Sequence, residues 1–90
     1  MSKFIERYER VKCLESPKTE YVNLFGVLDI WESERLMKGK RFVDFSTDTC
    51  RYLKTSPGDI TIKNDILTIV THNGEHVYKF KIYKKHLTLI

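Results

Sequence analysis

The chain has 90 residues, a formal net charge of +4 and a hydrophobic content of 41%. This length allows one small core, so we expect a single domain over residues 1–90 without separate cofactor and substrate domains. The mildly basic balance excludes a DNA mimic, which needs a dense acidic surface. The sequence contains no alanine and no glutamine, whereas valine, isoleucine and threonine are abundant. This composition predicts a chain that is mostly β-sheet.

The distribution of charged residues bears on where the protein works. No run of about 18 apolar residues is present, so we expect no membrane-spanning segment. Charges at Lys3, Glu6 and Arg7 come too early for a signal peptide. We therefore expect a cytoplasmic protein without membrane contact, in which Cys13 and Cys50 are reduced.

The first predicted element is a helix over residues 3–15. Its apolar residues recur at steps of three and four and form one stripe: Phe4, Ile5, Tyr8, Val11 and Leu14. Ser2 suits the N-cap of this helix, and Pro17 disfavours helical angles at the residue before it. The pattern thus indicates an amino-terminal helix that ends near residue 15.

The middle of the chain is harder to interpret. The apolar run over residues 20–31 fits a helix stripe and also one face of a strand; its β-branched and aromatic content and Gly26 favour a long, bent strand. The alternative is a second helix at 17–38 packed on a four-stranded sheet. A helical turn is expected at 32–38, then one strand over 41–54 with a polar middle. Pro57 and Gly58 suit a type II turn within 55–59.

The carboxy-terminal part predicts a three-stranded antiparallel meander over residues 60–83. Asn64-Asp65 and Asn73-Gly74 are two-residue hairpin signals, and each turn fixes the register of the strands beside it. Both registers place the same apolar set on one face: Ile60, Ile62, Leu67, Ile69, Tyr78, Phe80 and Ile82. The apolar segment 87–90 is expected to dock on the domain.

The predicted fold class is therefore α+β. An amino-terminal helix packs on a bent antiparallel sheet or small open barrel of about five strands, which ends in the three-stranded meander. Closure of the barrel would remove the exposed edge of the strand at 20–31.

The outer face of the predicted meander is the candidate binding surface. It carries a basic set with one aromatic ring: Lys63, Lys79, Lys81, Tyr83, Lys84 and Lys85. Such a set suits phosphate contact and base stacking, although lysines are also common on a solvated sheet face. The single tryptophan, Trp31, is a further candidate because tryptophan is enriched at interfaces, with a core position as its alternative.

No catalytic or metal-binding framework is recognisable. His72 and His76 have metal-ligand spacing, but the predicted register points their rings to opposite faces, and no Cys-x-x-Cys accompanies them. The four glycines are dispersed and form no phosphate loop. We expect no cofactor, no metal and no enzymatic activity.

Residues 55–82 combine Thr55-Ser56-Pro57, an alternating strand pair, Thr71-x-Asn73 and Tyr78-x-Phe80. This pattern resembles the carboxy-terminal part of short, uncharacterised proteins from phages and mobile elements of low-GC bacteria. The resemblance implies a source and a size class, but no activity and no site residues.

Two functions follow as hypotheses. The first is a small non-catalytic binding protein, in a phage setting an inhibitor or regulator that binds a host protein. The alternative is a nucleic-acid-binding module that uses the basic outer face of the meander. The sequence leaves the partner's identity and the oligomeric state open.

Overall fold

The computed structural model of the protein describes residues 2–34, 37–71, 74 and 76–85. These residues are almost entirely strands and the turns between them. The strands run β1 Ser2–Glu15, β2 Phe25–Ser33, β3 Arg41–Thr47, β4 Tyr52–Lys54, β5 Gly58–Lys63, β6 Ile66–Thr71 and β7 Val77–Lys85. A 3₁₀ turn at Thr19–Tyr21 lies between β1 and β2.

The seven strands form one antiparallel sheet that closes on itself. Their order is β2-β1-β7-β6-β5-β3-β4, and β2 also pairs with β3. The long β1 therefore lies between β2 and β7, and the short β4 extends one edge of β3. The contact between β3 and β5 is the shortest in the sheet: among the described residues, Arg41 and Gly58 are the one residue pair that joins these two strands. A closed sheet leaves few free edges, and the edge of β5 beyond Gly58 has no strand partner in the described part of the chain.

The predicted α+β class with an amino-terminal helix is wrong, because residues 3–15 belong to β1. Ile5, Tyr8 and Val11 all contact the core, at steps of three residues rather than two. The pairing of β1 with β2 shifts register between Phe4 and Glu6, where Ile5 is the extra residue, and again between Tyr8 and Val11. A bulge adds one residue to a strand, so this bulged strand has the spacing of a helix stripe.

The strand interpretation of residues 20–31 is confirmed only for residues 25–31, which belong to β2; residues 20–24 precede this strand, and the alternative helix over 17–38 is wrong. The helical turn expected at 32–38 is wrong at its start, because Glu32 and Ser33 still belong to β2. The strand expected over 41–54 is two strands, β3 and β4. Their connecting turn holds Cys50 at a positive φ of 65°, so the polar middle is a hairpin turn.

The predicted type II turn at Pro57-Gly58 is also wrong. Gly58 begins β5 and pairs with Thr71 of β6. A Cβ atom at this position would collide with the carbonyl oxygen of Val70. Glycine is required here because two backbones approach closely, which gives the same residue preference as a turn.

The predicted register of the meander is confirmed. Ile62 pairs with Leu67, and Leu67 pairs with Phe80, as the two-residue turn requires. Asn64 and Asp65 have φ values of 53° and 62°, the left-handed geometry of a type I′ hairpin. The turn predicted at 73–74 falls partly outside the described residues, and segment 87–90 falls wholly outside them.

The core lies inside the closed sheet and is built from inward side chains of six strands. Tyr8, Phe45 and Phe80 are its largest fully buried members, and the rings of Phe45 and Phe80 lie 5.1 Å apart. Of the inward residues predicted for the meander, Ile60 is half-buried and Ile62 is 46% exposed. These two belong to β5, whose far edge has no neighbouring strand beyond Gly58 among the described residues.

The two cysteines differ in reactivity. Cys13 is fully buried in β1, and burial raises the pKa of its thiol to about 11; Cys50 is exposed in the β3–β4 turn. A thiol reacts as its thiolate, so we expect Ellman's reagent to label Cys50 rapidly and Cys13 only on unfolding. Equal labelling rates in the folded protein would contradict this placement.

Candidate nucleic-acid interface

A row of outward-facing residues crosses five neighbouring strands. The register aligns Lys63 of β5, Ile66 of β6, Lys81 of β7, Lys12 of β1 and Phe25 of β2 as successive partners. Adjacent strands lie about 4.8 Å apart, so the three lysines form a compact cationic row. We call the surface formed by Lys12, Phe25, Lys63, Lys81 and Tyr83 the basic–aromatic face.

The positive charges in this row lack a counter-charge in the part of the chain that the structure describes. Lys12 and Lys81 are direct cross-strand partners, and like charges in that position destabilise a sheet. Among the described residues, no carboxylate lies within ion-pair distance of Lys12, Lys63 or Lys81. The arrangement therefore opposes folding slightly and is available to an anion.

Two aromatic rings lie beside the row. The centroids of Phe25 and Tyr83 are 5.8 Å apart, and Tyr83 is 52% exposed. Cations already lie over both rings: the guanidinium of Arg10 is 4.6 Å from the Phe25 centroid, and the ammonium of Lys81 is 5.5 Å from that of Tyr83. Cations and π-faces thus occur together, as in proteins that bind single strands.

Three basic residues at the margin of the face are engaged in ion pairs. The Nζ atom of Lys79 lies 4.0 Å from Oε1 of Glu15, and the Nζ atom of Lys84 lies 3.7 Å from Oε2 of Glu9. Arg10 donates to both carboxylate oxygens of Asp48, at 3.0 and 2.8 Å. These pairs are solvent-exposed and individually weak, so they reduce the local positive charge without removing it.

The structure places most of the predicted basic residues as expected. On the outer side of the sheet, the side chains of Lys63, Lys81, Tyr83 and Lys84 are exposed, and that of Lys79 is partly exposed. The backbone of Lys85 pairs with Tyr8 at the end of β7, and its side chain falls outside the described structure. Their outward placement follows the register of β5 to β7, and their role in binding stays a prediction.

Three contributors were missing from the predicted set: Lys12, Arg10 and Phe25. Lys12 and Arg10 lie on β1, which was assigned to a helix and so had no register with the meander. Phe25 comes next to Lys12 once β1 is a strand. The alternating pattern at Val11, Lys12 and Cys13 is the signal that could have placed Lys12 on an outer face.

Trp31 lies elsewhere, on the outer face of β2. Its ring packs edge-on against Phe4 at 5.3 Å, and its Cα partner on β3 is Phe42. Along β2 it is six residues from Phe25, about 20 Å in a strand. Trp31 is therefore separate from the basic–aromatic face, half-buried rather than in the core.

Beside Trp31, the Asp44 carboxylate is only partly satisfied. Its Oδ1 atom and the indole Nε1 of Trp31 are both buried without a hydrogen-bond partner among the described residues. Burial raises the pKa of Asp44 above its ordinary value, and the neighbouring Asp29 carboxylate adds to this. The Tyr52 hydroxyl, the Lys54 ammonium and the facing indole lower the pKa without cancelling that rise.

An Asp44→Asn variant should therefore be more stable than the original protein at neutral pH. Because the pKa of Asp44 is higher in the folded state than in the unfolded state, ionisation of this carboxyl group lowers the free energy of unfolding. The loss begins as the pH rises through the unfolded-state pKa. Urea denaturation should give a higher midpoint for the variant at pH 7, with the difference vanishing in acid. A lower midpoint at pH 7 would show that the ionised carboxylate stabilises the fold.

Comparisons of the chain with protein-family models, with curated proteins and with solved structures find no match. Within the part of the chain that the structure describes, no helix has the length and apolar character to cross a membrane. The same residues contain no cluster of histidine, cysteine, aspartate or glutamate that could hold a metal ion. Function must therefore be argued from the surface of this chain.

Proposed function

We propose that this protein is a non-catalytic binding protein that holds single-stranded nucleic acid on the basic–aromatic face. The observation that carries the proposal is the direct pairing of Lys12 with Lys81, neither of which has an ion-pair partner among the residues that the structure describes. Lys63 extends this row, and a phosphate backbone along it would remove the repulsion. Release of counterions from the phosphates would drive binding.

The aromatic side chains favour a single strand over a duplex. The exposed ring of Tyr83 can stack on a base, which a paired duplex does not offer. Phe25 also borders an open cleft of about 180 Å³, whose other lining residues include Asn23 and Thr49. Amide and hydroxyl groups can hydrogen-bond the edge of a base, and the carboxylate of Asp48, which also lines this cleft, is paired with Arg10.

Fluorescence anisotropy with an oligothymidylate of about 12 nucleotides tests the proposal. The logarithm of the binding constant should fall linearly with the logarithm of the salt concentration. A slope near −2 is expected, from about 0.7 for each of three phosphate contacts. A duplex of the same length should bind more weakly. Absence of binding to any single strand at low salt would exclude this function.

A second candidate function, binding to another protein, is favoured by a different observation. The edge of β5 beyond Gly58 has no strand partner among the described residues, and Ile62 on that strand is 46% exposed. This edge lies beside a cationic cleft, which indicates the chemistry of the partner.

A further inference from the structure

We infer that the free edge of β5 and the cleft beside it bind an extended acidic segment of a partner protein, which adds as a strand to the sheet. This inference does not depend on nucleic-acid binding, because it concerns the seam between β3 and β5. Strand addition to an exposed edge uses main-chain hydrogen bonds for affinity and alternate side chains for specificity.

The backbone of β5 presents unpaired groups on this edge. A two-residue turn at Asn64-Asp65 makes Lys63 and Ile66 a hydrogen-bonded pair, so alternate residues of β5 direct their N–H and C=O groups toward β6. Ile60 and Ile62 therefore direct theirs to the opposite edge. No backbone hydrogen bond to another described element satisfies these groups.

The side chains of the same strand add an apolar contact. Ile62 faces the interior side of the sheet but is 46% exposed, because no strand within the described ranges closes the sheet beside it. An apolar residue in an added strand would cover Ile62 and extend the core. A partner segment should accordingly alternate apolar residues with polar ones.

The cleft next to this edge determines the charge of the partner. It has a volume of about 420 Å³ and is lined by Lys38, Lys40 and Arg41 on one side and by Gly58, Asp59 and Ile60 on the other. Asp59 pairs with Lys40 at 2.8 Å, and Arg41 lies 3.9 Å from Glu32. Lys38 is exposed and has no ion-pair partner among the described residues. The lining thus carries excess positive charge.

The probe is a capped peptide that alternates glutamate and valine, compared with one that alternates lysine and valine. Titration calorimetry should detect the acidic peptide and not the basic one. Lys38→Glu should weaken acidic-peptide binding at least about tenfold, since it reverses the unpaired charge in the cleft. The matched control is Lys3→Glu, an exposed lysine opposite Glu32 with the same charge change. It should alter the affinity by less than about twofold.

An Ile62→Pro variant tests the main-chain part of the inference. Proline is tolerated on an edge strand and removes the N–H that points to the free edge while leaving the β5–β6 pairing intact. It should abolish peptide binding and leave oligothymidylate binding by the basic–aromatic face unchanged. Loss of both activities would indicate misfolding, in which case Ile62→Glu, which keeps the backbone N–H but replaces the apolar contact with a carboxylate that repels an acidic segment, should weaken peptide binding and leave oligothymidylate binding unchanged.

Several outcomes would overturn the inference. The two peptides could bind equally, Lys3→Glu could weaken binding as much as Lys38→Glu, or neither peptide could bind at millimolar concentration. Displacement of the acidic peptide by oligothymidylate would assign the cleft to nucleic acid instead. Peptide-independent dimerisation lost in Ile62→Pro would assign the edge to a second copy of this chain.

Discussion

Reversing two charges, Lys12→Glu with Lys81→Glu, should lower the affinity for oligothymidylate at least about 100-fold at low salt. Each substitution removes a phosphate contact and introduces a repulsive carboxylate at the centre of the row. The two lysines repel each other as direct cross-strand partners, and so would the two glutamates. The fold should therefore change little in stability, which urea denaturation of the variant will measure.

The matched control for this variant is Lys3→Glu with Lys38→Glu. Both residues are exposed and lie outside the basic–aromatic face, and the net charge changes by the same amount. This control should retain most of the affinity, with a loss below about threefold. Equal losses in the two variants would show that net charge, rather than this face, governs binding.

Truncating Phe80 should produce the largest loss of stability. Phe80 is fully buried, and its ring lies 5.1 Å from that of Phe45. Removing a buried aromatic side chain leaves a cavity and costs about 3–5 kcal/mol, a large part of the 5–15 kcal/mol typical of a domain. Urea denaturation of Phe80→Ala should show this as a strongly lowered midpoint.

Ile62→Ala is the internal control for the core. Ile62, Leu67 and Phe80 occupy one row of the meander, but Ile62 is 46% exposed. Its truncation should cost less than about 1 kcal/mol. If Phe80→Ala does not fold, Phe80→Leu should still be less stable than Ile62→Ala. A greater loss from Ile62→Ala would mean that β5 is covered rather than free.

Composition and turn chemistry were sufficient to predict a large part of this fold. The lack of alanine indicated a sheet, and the turn at Asn64-Asp65 fixed the pairing of Ile62 with Leu67. Such turns encode structure locally, because two residues with positive φ determine which residues of the flanking strands face each other. These turns do not determine where the meander lies within the closed sheet.

Strand β1 was mispredicted for a physical reason. Its bulges move the inward positions from a spacing of two to a spacing of three, as at Tyr8 and Val11. A helix and a bulged strand can place apolar residues at the same spacing, so this spacing alone cannot distinguish the two structures. Gly58 was misassigned because a glycine needed for close backbone approach is indistinguishable in sequence from one needed for a turn.

The candidate interface was predictable to the extent that its strands were. Lys63, Lys81 and Tyr83 lie on strands whose register follows from turns, and they were found. Lys12 and Phe25 reach the same surface through long-range pairing of β1 with β7 and β2. Trp31 stays a candidate interface residue, and no sequence signal separates its location from the basic–aromatic face.

The central claim is that the basic–aromatic face is where this protein binds nucleic acid. The most direct measurement is a ¹H–¹⁵N correlation spectrum recorded during titration with oligothymidylate. We expect the backbone amides of Lys12, Phe25, Lys81 and Tyr83 to shift, while the indole N–H signal of Trp31, about 20 Å away along β2, stays in place. Shifts centred on Trp31 or on residues 38–41, with those four amides unmoved, would contradict the claim.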